Sequence, residues 1–545
     1  MSTVDSSPMS DQSQASSRAR TRKHSRASRT QRSSTQSGLL FISVLVVLAL
    51  LVAGGWAVMN HKISLPGGLG TRSGNGTTLK VATAQPLNSL DMSKNTSTAL
   101  DQALLHNVYD TVVGRDEHNN PAANGLAKKW SISQDGLQYT FTLHKGMKFS
   151  NGHTANADDV VASLKRTLET QTADSSRLAR ITQVNGNNLT VQITLSQPDP
   201  NLLWSLSTRA GIVYDSEASY DAQTSALGLG PYQVKKFDPG KSLTLTVNPH
   251  YGKAVKGYST IELTSYPDAQ AAVDALEAKK VDAVIPLANS PASAHMSDAR
   301  QKLTKLENVT VATTSSTHRW GIALNTSADS LFSDTHIRQA YRAMLDQSAL
   351  ISTLGVNAAP LSGPIPSLDP GFEDLTNTYH YDVNQARQLL SYFGYARNFT
   401  LAYPQSYGDS FAHIVAGQLS ALGGSITPQA IPDDQWQAQV VEGKNFDLAL
   451  VDFAGSHDVS SIASPDYITQ FTSPDMNNHL TAVENAKTDS EYATALSGLA
   501  NQLALDTPVI WAYEEQPIVA AQAGITGLPT AMADSYVRLD DIIKK

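Results

Sequence analysis

The sequence predicts an α/β fold preceded by one transmembrane helix, and three observations predict it. Short runs of alternating apolar residues, such as Tyr139, Phe141 and Leu143, have the period of strands with one buried face. Between them lie segments with apolar residues at helical spacing, such as Ala157, Val161, Leu164 and Leu168. Ahead of both, residues 38–58 carry no charge at all, which suits a helix crossing about 30 Å of hydrocarbon.

Residues 1–37 are Ser, Thr, Gln and Arg with almost nothing apolar. Such a segment buries too little surface to offset its chain entropy, so a disordered tail is expected. It holds seven basic residues, Arg18 to Arg32, and two acidic ones. The basic flank places this tail in the cytoplasm and everything beyond about residue 60 outside. Cleavage after the apolar stretch is the alternative, with Ala53-Gly54-Gly55 as the candidate site. Residues 59–78 are rich in Gly and Ser and read as a flexible linker.

The chain has 545 residues and a formal charge of -8. Without the tail the body stands near -13. That balance argues against nucleic acid as a partner, because phosphate binding needs clustered Lys and Arg. The absence of cysteine excludes disulfides, thiolate metal sites, cysteine nucleophiles and a lipid-modified cysteine.

In the body, Leu79 and Val81 open a strand. The strand ending at Leu143 turns at Lys145-Gly146, and Met147 and Phe149 resume the alternation. Leu189 to Leu195 and Leu243 to Val247 form further period-two runs. Asn156 with Asp159 three residues on marks a helix start. Helices are also expected over 271–280, 337–354 and 383–393, the last stopped by Gly394. No phosphate loop, nucleophile elbow or zinc-protease pair occurs, so no catalytic residue, metal or cofactor is assigned.

The stretch 124–168 then carries Leu126 and Trp130, Asp135-Gly136-Leu137, Tyr139, Phe141, Leu143, Lys148-Phe149, Asn151-Gly152, Ala157, Asp159-Val160 and Ser163. In this order the residues resemble the ABC-transporter solute-binding proteins of family 5, the oligopeptide-, dipeptide- and nickel-binding type. Gly230-Pro231-Tyr232, the segments 323–351 and 381–395, Gly363 to Pro366 and the closing stretch 507–521 match as well. The resemblance covers about residues 79–545. It implies a two-lobe, periplasmic-binding-protein-like fold of type II. Lobe one would span 79–322, with an extra small α/β subdomain at about 115–210. Lobe two would span 323–511, and 512–545 would return to lobe one. The implied function is capture of oligopeptides or a similar small solute in an interlobe cleft, for ABC permease subunits driven by cytoplasmic ATPases. A membrane-tethered sensor of the same fold, or an extracytoplasmic hydrolase, are the alternatives.

In peptide-binding relatives an aspartate shortly after a tryptophan in lobe two pairs with the peptide's amine. Here Phe453 falls at the tryptophan and Ser456 at the aspartate, with Asp458 two residues on and Asp452 just before. A buried ammonium without a counter-charge is costly. Either Asp458 takes the role, or the cargo is not a free peptide amine. His457 beside one aspartate is weak ground for a metal ligand. The other expected lining residues are Asn95, Thr96 and Ser97, Trp320 and Asn325 at the first crossing between lobes, and Tyr513 and Glu514 at the second.

Overall fold

A computed structural model describes residues 77–94, 97–116, 119–169, 173–287, 296–361, 363–378, 380–393, 397–532 and 536–545. The expected tail and transmembrane helix, nearly all of the linker, and Asn95 and Thr96 lie outside the described residues. Among the described residues no helix is long and apolar enough to cross a membrane.

Two mixed sheets organise the rest. In the first, the strand Thr78–Thr83 is central, pairing in parallel with Thr260–Ser265 and Ala283–Leu287. The order across it is Val309–Thr313, Ile518–Gln522, Ala283–Leu287, Thr78–Thr83, Thr260–Ser265, Ser242–Val247, Tyr232–Asp238. Leu79 and Val81 are fully buried there while Thr78 and Lys80 are exposed, as one covered face at the start of the strand requires. The second sheet runs Ala358–Pro360, Val509–Glu515, Arg319–Leu324, Leu448–Phe453, Asn398–Pro404, Ser425–Ile431.

A third sheet, wholly antiparallel, is inserted in the first lobe and runs Ala127–Ile132, Gln138–Leu143, Thr190–Leu195, Ile181–Asn187. The two period-two runs meet in it, with Tyr139 opposite Ile193 and Phe141 opposite Val191. Such cross-strand pairs contribute about 0.2–1 kcal/mol each. The helix Ala157–Glu169 packs on it. Its start is tied as expected: Asp158 N–H donates to Asn156 Oδ1 at 2.6 Å, and Asn156 N–H to Asp159 Oδ2 at 2.9 Å. Val160, rather than Val161, is the fully buried valine.

Two expectations change. The helix expected over 337–354 is two helices, Thr335–Ala343 and Gln347–Leu354. Asp346 accepts the Ala349 N–H at 2.9 Å and caps the second, which ends the first turn's continuity. The lobe boundaries also shift. Arg319–Leu324 and Val509–Glu515 both lie wholly in the second sheet, so boundaries at 322 and 511 would cut through strands. The chain crosses between Thr313 and Arg319, and again between Glu515 and Ile518.

Candidate ligand-binding cleft

Two cavities lie between groups belonging to different lobes. The first encloses about 300 Å³ beside the crossing segments. Thr83, Gln85 and Pro286 face it from the first sheet, and Thr98 and Gln102 from the helix Thr98–Leu104. Trp320, Tyr407 and Asp452 face it from the second lobe, and His318 and Glu515 from the crossings. Trp320 Nε1–H donates to Glu515 Oε1 at 2.7 Å, and Tyr407 meets the Trp320 ring edge-on at 4.8 Å.

The strand register delivers Glu515 here. Pairing between Arg319–Leu324 and Val509–Glu515 slips by one residue between Tyr513 and Trp511. Trp511 therefore packs with Phe453 on one face, while Tyr513 and Glu515 lie with Trp320 on the other. Glu515 is 8% exposed. Its burial, reinforced by the neighbouring Asp452, pushes its carboxyl up to about 8, against the hydrogen bond from Trp320. Asp452 is also raised by burial, opposed by His318 and Arg319. Its Oδ1 accepts no hydrogen bond among the described residues, and His318 Nδ1 stands 3.8 Å from it.

The second cavity, of about 630 Å³, lies between the inserted subdomain and the second lobe. Ser456, His457 and Asp458 face it. The Ser456 hydroxyl donates to Asp369 Oδ1, and the His457 N–H donates to Asp369 Oδ2 at 2.6 Å. His457 adopts a left-handed backbone, φ 56°. Its ring stacks on Trp204 of the inserted subdomain, with centroids 4.1 Å apart and planes 5° off parallel. Asn201 Oδ1 lies 2.8 Å from His457 Nδ1, and the Arg115 guanidinium covers the Trp204 ring at 3.9 Å. These contacts join the lobes away from the crossings.

The expected site residues therefore divide. Trp320 faces the first cavity. Ser97 precedes the helix that supplies Thr98 and Gln102. Ser456, His457 and Asp458 face the second cavity, but Asp458 is held by Arg319, whose Nη2 donates to both its oxygens at 2.6 and 2.7 Å. Asn325 is at the strand end opposite the crossing; its amide donates to Lys444 O at 3.1 Å and Phe446 O at 2.9 Å. Tyr513 is fully buried against Phe411 and Trp320. Trp320 and Tyr513 are second-sheet residues, paired with each other there. Glu514 points away from Trp320's face and binds Ser367 through its N–H at 3.1 Å and hydroxyl at 2.9 Å. Phe453 is 3% exposed and packs between Trp511 and Tyr467. Among the described residues no group of three His, Cys, Asp or Glu could hold an ion.

Arg319, Asp369 and Glu515 escaped the sequence reading, and Asp452 entered it only as the neighbour of Phe453. The available signal was a charge inside an otherwise apolar strand, as in RWGIAL, LALVDF and VIWAYEE.

Asp369 and Glu515 imply a pH dependence of stability. Burial raises Asp369 to about 7, against its hydrogen bonds to Ser456 and His457. Both groups keep a proton in the folded protein where the unfolded chain has lost it. Their contribution is full below the unfolded values of 3.8 and 4.5 and is lost as pH rises to about 8. Urea unfolding is expected to show stability falling by a few kcal/mol between about pH 5 and about pH 8.5, with Glu515→Gln removing part of that slope. An identical slope in the variant would show that Glu515 ionises normally.

Two lobes linked by two crossings, with a polar cleft between them, give a place for a small ligand between domains. The family model of bacterial extracellular solute-binding proteins, family 5, matches residues 122–475, and the chain belongs to that family. It is the extracytoplasmic solute-binding subunit of an ABC importer, a binding protein and not an enzyme. Di/tripeptide-binding protein 2 of Pseudomonas aeruginosa is 24% identical over 423 residues, 70% of this chain and 75% of that one. The glutathione-binding protein GsiB of Pectobacterium atrosepticum is 25% identical over 498 residues, 85% of this chain and 93% of that one. The solved structure of HbpA2 from Haemophilus parasuis shares the fold, with a TM-score of 0.72 at 18% identity over 86% of this chain and all of that one.

Proposed function

We propose that the cargo is a small peptide or similar solute with a protonated amine, seated in the first cavity against Asp452 and Glu515. The observation that carries this is the pair of carboxylates facing one small cavity, both raised by burial, with Asp452 Oδ1 accepting no hydrogen bond. An ammonium entering there would restore their charge and gain two partners at once. Trp320 and Tyr407 supply aromatic surface of the kind that suits a cation with a short apolar body. The relatives named for di/tripeptides and glutathione support a peptide of this size. On this reading the amine is met by Asp452 and Glu515, since Asp458 is occupied by Arg319.

Calorimetry with alanyl di- and tripeptides, their N-acetylated forms and a panel of neutral sugars tests it. Free-amine peptides are expected to bind, and Asp452→Asn with Glu515→Gln to weaken them by about 2–5 kcal/mol. Binding near neutral pH should release a proton, seen as heats that change with the buffer's ionisation enthalpy. Equal binding of acetylated peptides, or sugars binding in their place, would defeat the amine reading.

The chain is held to the membrane, on this proposal, by an uncleaved helix over residues 38–58 with its N-terminus in the cytoplasm. Its uncharged length and basic flank support this. N-terminal sequencing of membrane-purified protein checks it, and a mature chain starting near Trp56 would overturn it.

A further inference from the structure

The second cavity carries a feature that the amine reading leaves unused. Arg177, on the inserted subdomain, faces it half-buried and has no hydrogen-bond or ion-pair partner among the described residues. It reaches the opposite lobe: a methyl group placed on Gly455 would touch its Nη2 at 3.6 Å. The neighbouring charges are spent elsewhere. Asp458 is bound by both oxygens to Arg319, and Arg180 meets Glu484 at 3.2 Å and Pro198 O at 2.6 Å. Asp199 is pushed up by burial, against Arg180 and the Asn201 N–H. The hydroxyls of Ser460 and Ser461, on the same wall, make no hydrogen bond among the described residues. One uncommitted guanidinium beside free hydroxyls, in a space of about 630 Å³, suits an oxyanion held by charge-assisted hydrogen bonds.

We propose that this second cavity is a carboxylate-accepting subsite of the cleft, with Arg177 meeting the anion and Ser460 and Ser461 donating beside it. The anion is singly charged, because Asp458 and Glu484 border the space and would repel a second negative charge. Inorganic phosphate, a substantial part of which is dianionic at neutral pH, is therefore disfavoured. The subsite is independent of the amine-binding cavity and stands whether or not that reading holds.

Calorimetry on the full-length protein in detergent, with gluconate, sorbitol and inorganic phosphate as probes, tests it. Gluconate and sorbitol share hydroxyls and differ in the carboxylate, so their difference reads the charge. Gluconate is expected to bind and sorbitol not to. Arg177→Gln should weaken gluconate roughly tenfold or more, and Arg177→Lys less, since the charge is kept while the two-pronged geometry is lost. Arg177 has no partner to lose, so both variants should fold. Glu515→Gln, in the other cavity, should leave gluconate binding unchanged. Failure of gluconate to bind, equal binding of sorbitol, unchanged affinity in Arg177→Gln, or phosphate binding tighter than gluconate would each overturn the proposal. A changed gluconate affinity in Glu515→Gln, in either direction, would place the anion in the first cavity instead.

Discussion

Replacing Arg319 by Met is expected to destabilise the protein by about 3–5 kcal/mol, the scale of removing one partner of a buried ion pair. Arg319 is fully buried. Its guanidinium donates to Pro364 O, to Gly455 O at 3.0 Å, and to both oxygens of Asp458, and its Nε–H donates to Thr317 O at 3.3 Å. One side chain thus ties the first crossing to two loops of the second lobe, including the loop that faces the second cavity. Removing it leaves Asp458 without its counter-charge, removes a cation near Asp369, and strands three carbonyls. Lysine cannot replace it, because a single ammonium does not reach a carboxylate and three carbonyls in that planar arrangement. Urea unfolding provides the measurement. In the double variant Arg319→Met, Asp458→Asn the second change should recover part of the loss, as paired groups do. A single-variant loss below about 1 kcal/mol would mean that the pair is solvated and contributes as a surface bridge does.

Phe453→Ala is expected to cost about 3–5 kcal/mol of stability, with no direct loss of cargo contact. Its ring packs 4.7 Å from Trp511 and 6.3 Å from Tyr467, and lies 5.9 Å from the Arg319 guanidinium. The change leaves a cavity within the core of the second lobe. The reading from sequence placed Phe453 in contact with cargo, which would weaken binding and spare the unliganded fold. The two expectations separate cleanly. Thermal unfolding of the unliganded variant should shift strongly downward, while cargo affinity of the folded fraction stays close to wild type. An unshifted transition with weakened binding would return Phe453 to the cleft.

Local patterning carried much of the architecture. Alternation in Gln138–Leu143 and Thr190–Leu195 marked both strands, because every second side chain of a half-buried strand must be apolar. The Asn156–Asp159 pair marked a helix start because orphan N–H groups at a helix end need nearby oxygens. The order of motifs from Leu126 to Ser163 sufficed for the family. Trp320, expected at a crossing, lies inside a second-sheet strand just beyond it, since apolar runs do not say which sheet a strand will join.

What the sequence by itself determined is the α/β class and the family. Only the tertiary structure decided which side chains face it. A one-residue slip against Arg319–Leu324 turns Glu515, and not Glu514, toward Trp320. Asp458 is committed to Arg319 across 139 positions of chain, and His457 stacks on Trp204 of the inserted subdomain. The physical reason is the same in each case. Side-chain period is a local property, whereas register, ion pairing and interlobe stacking depend on partners brought together from distant parts of the chain.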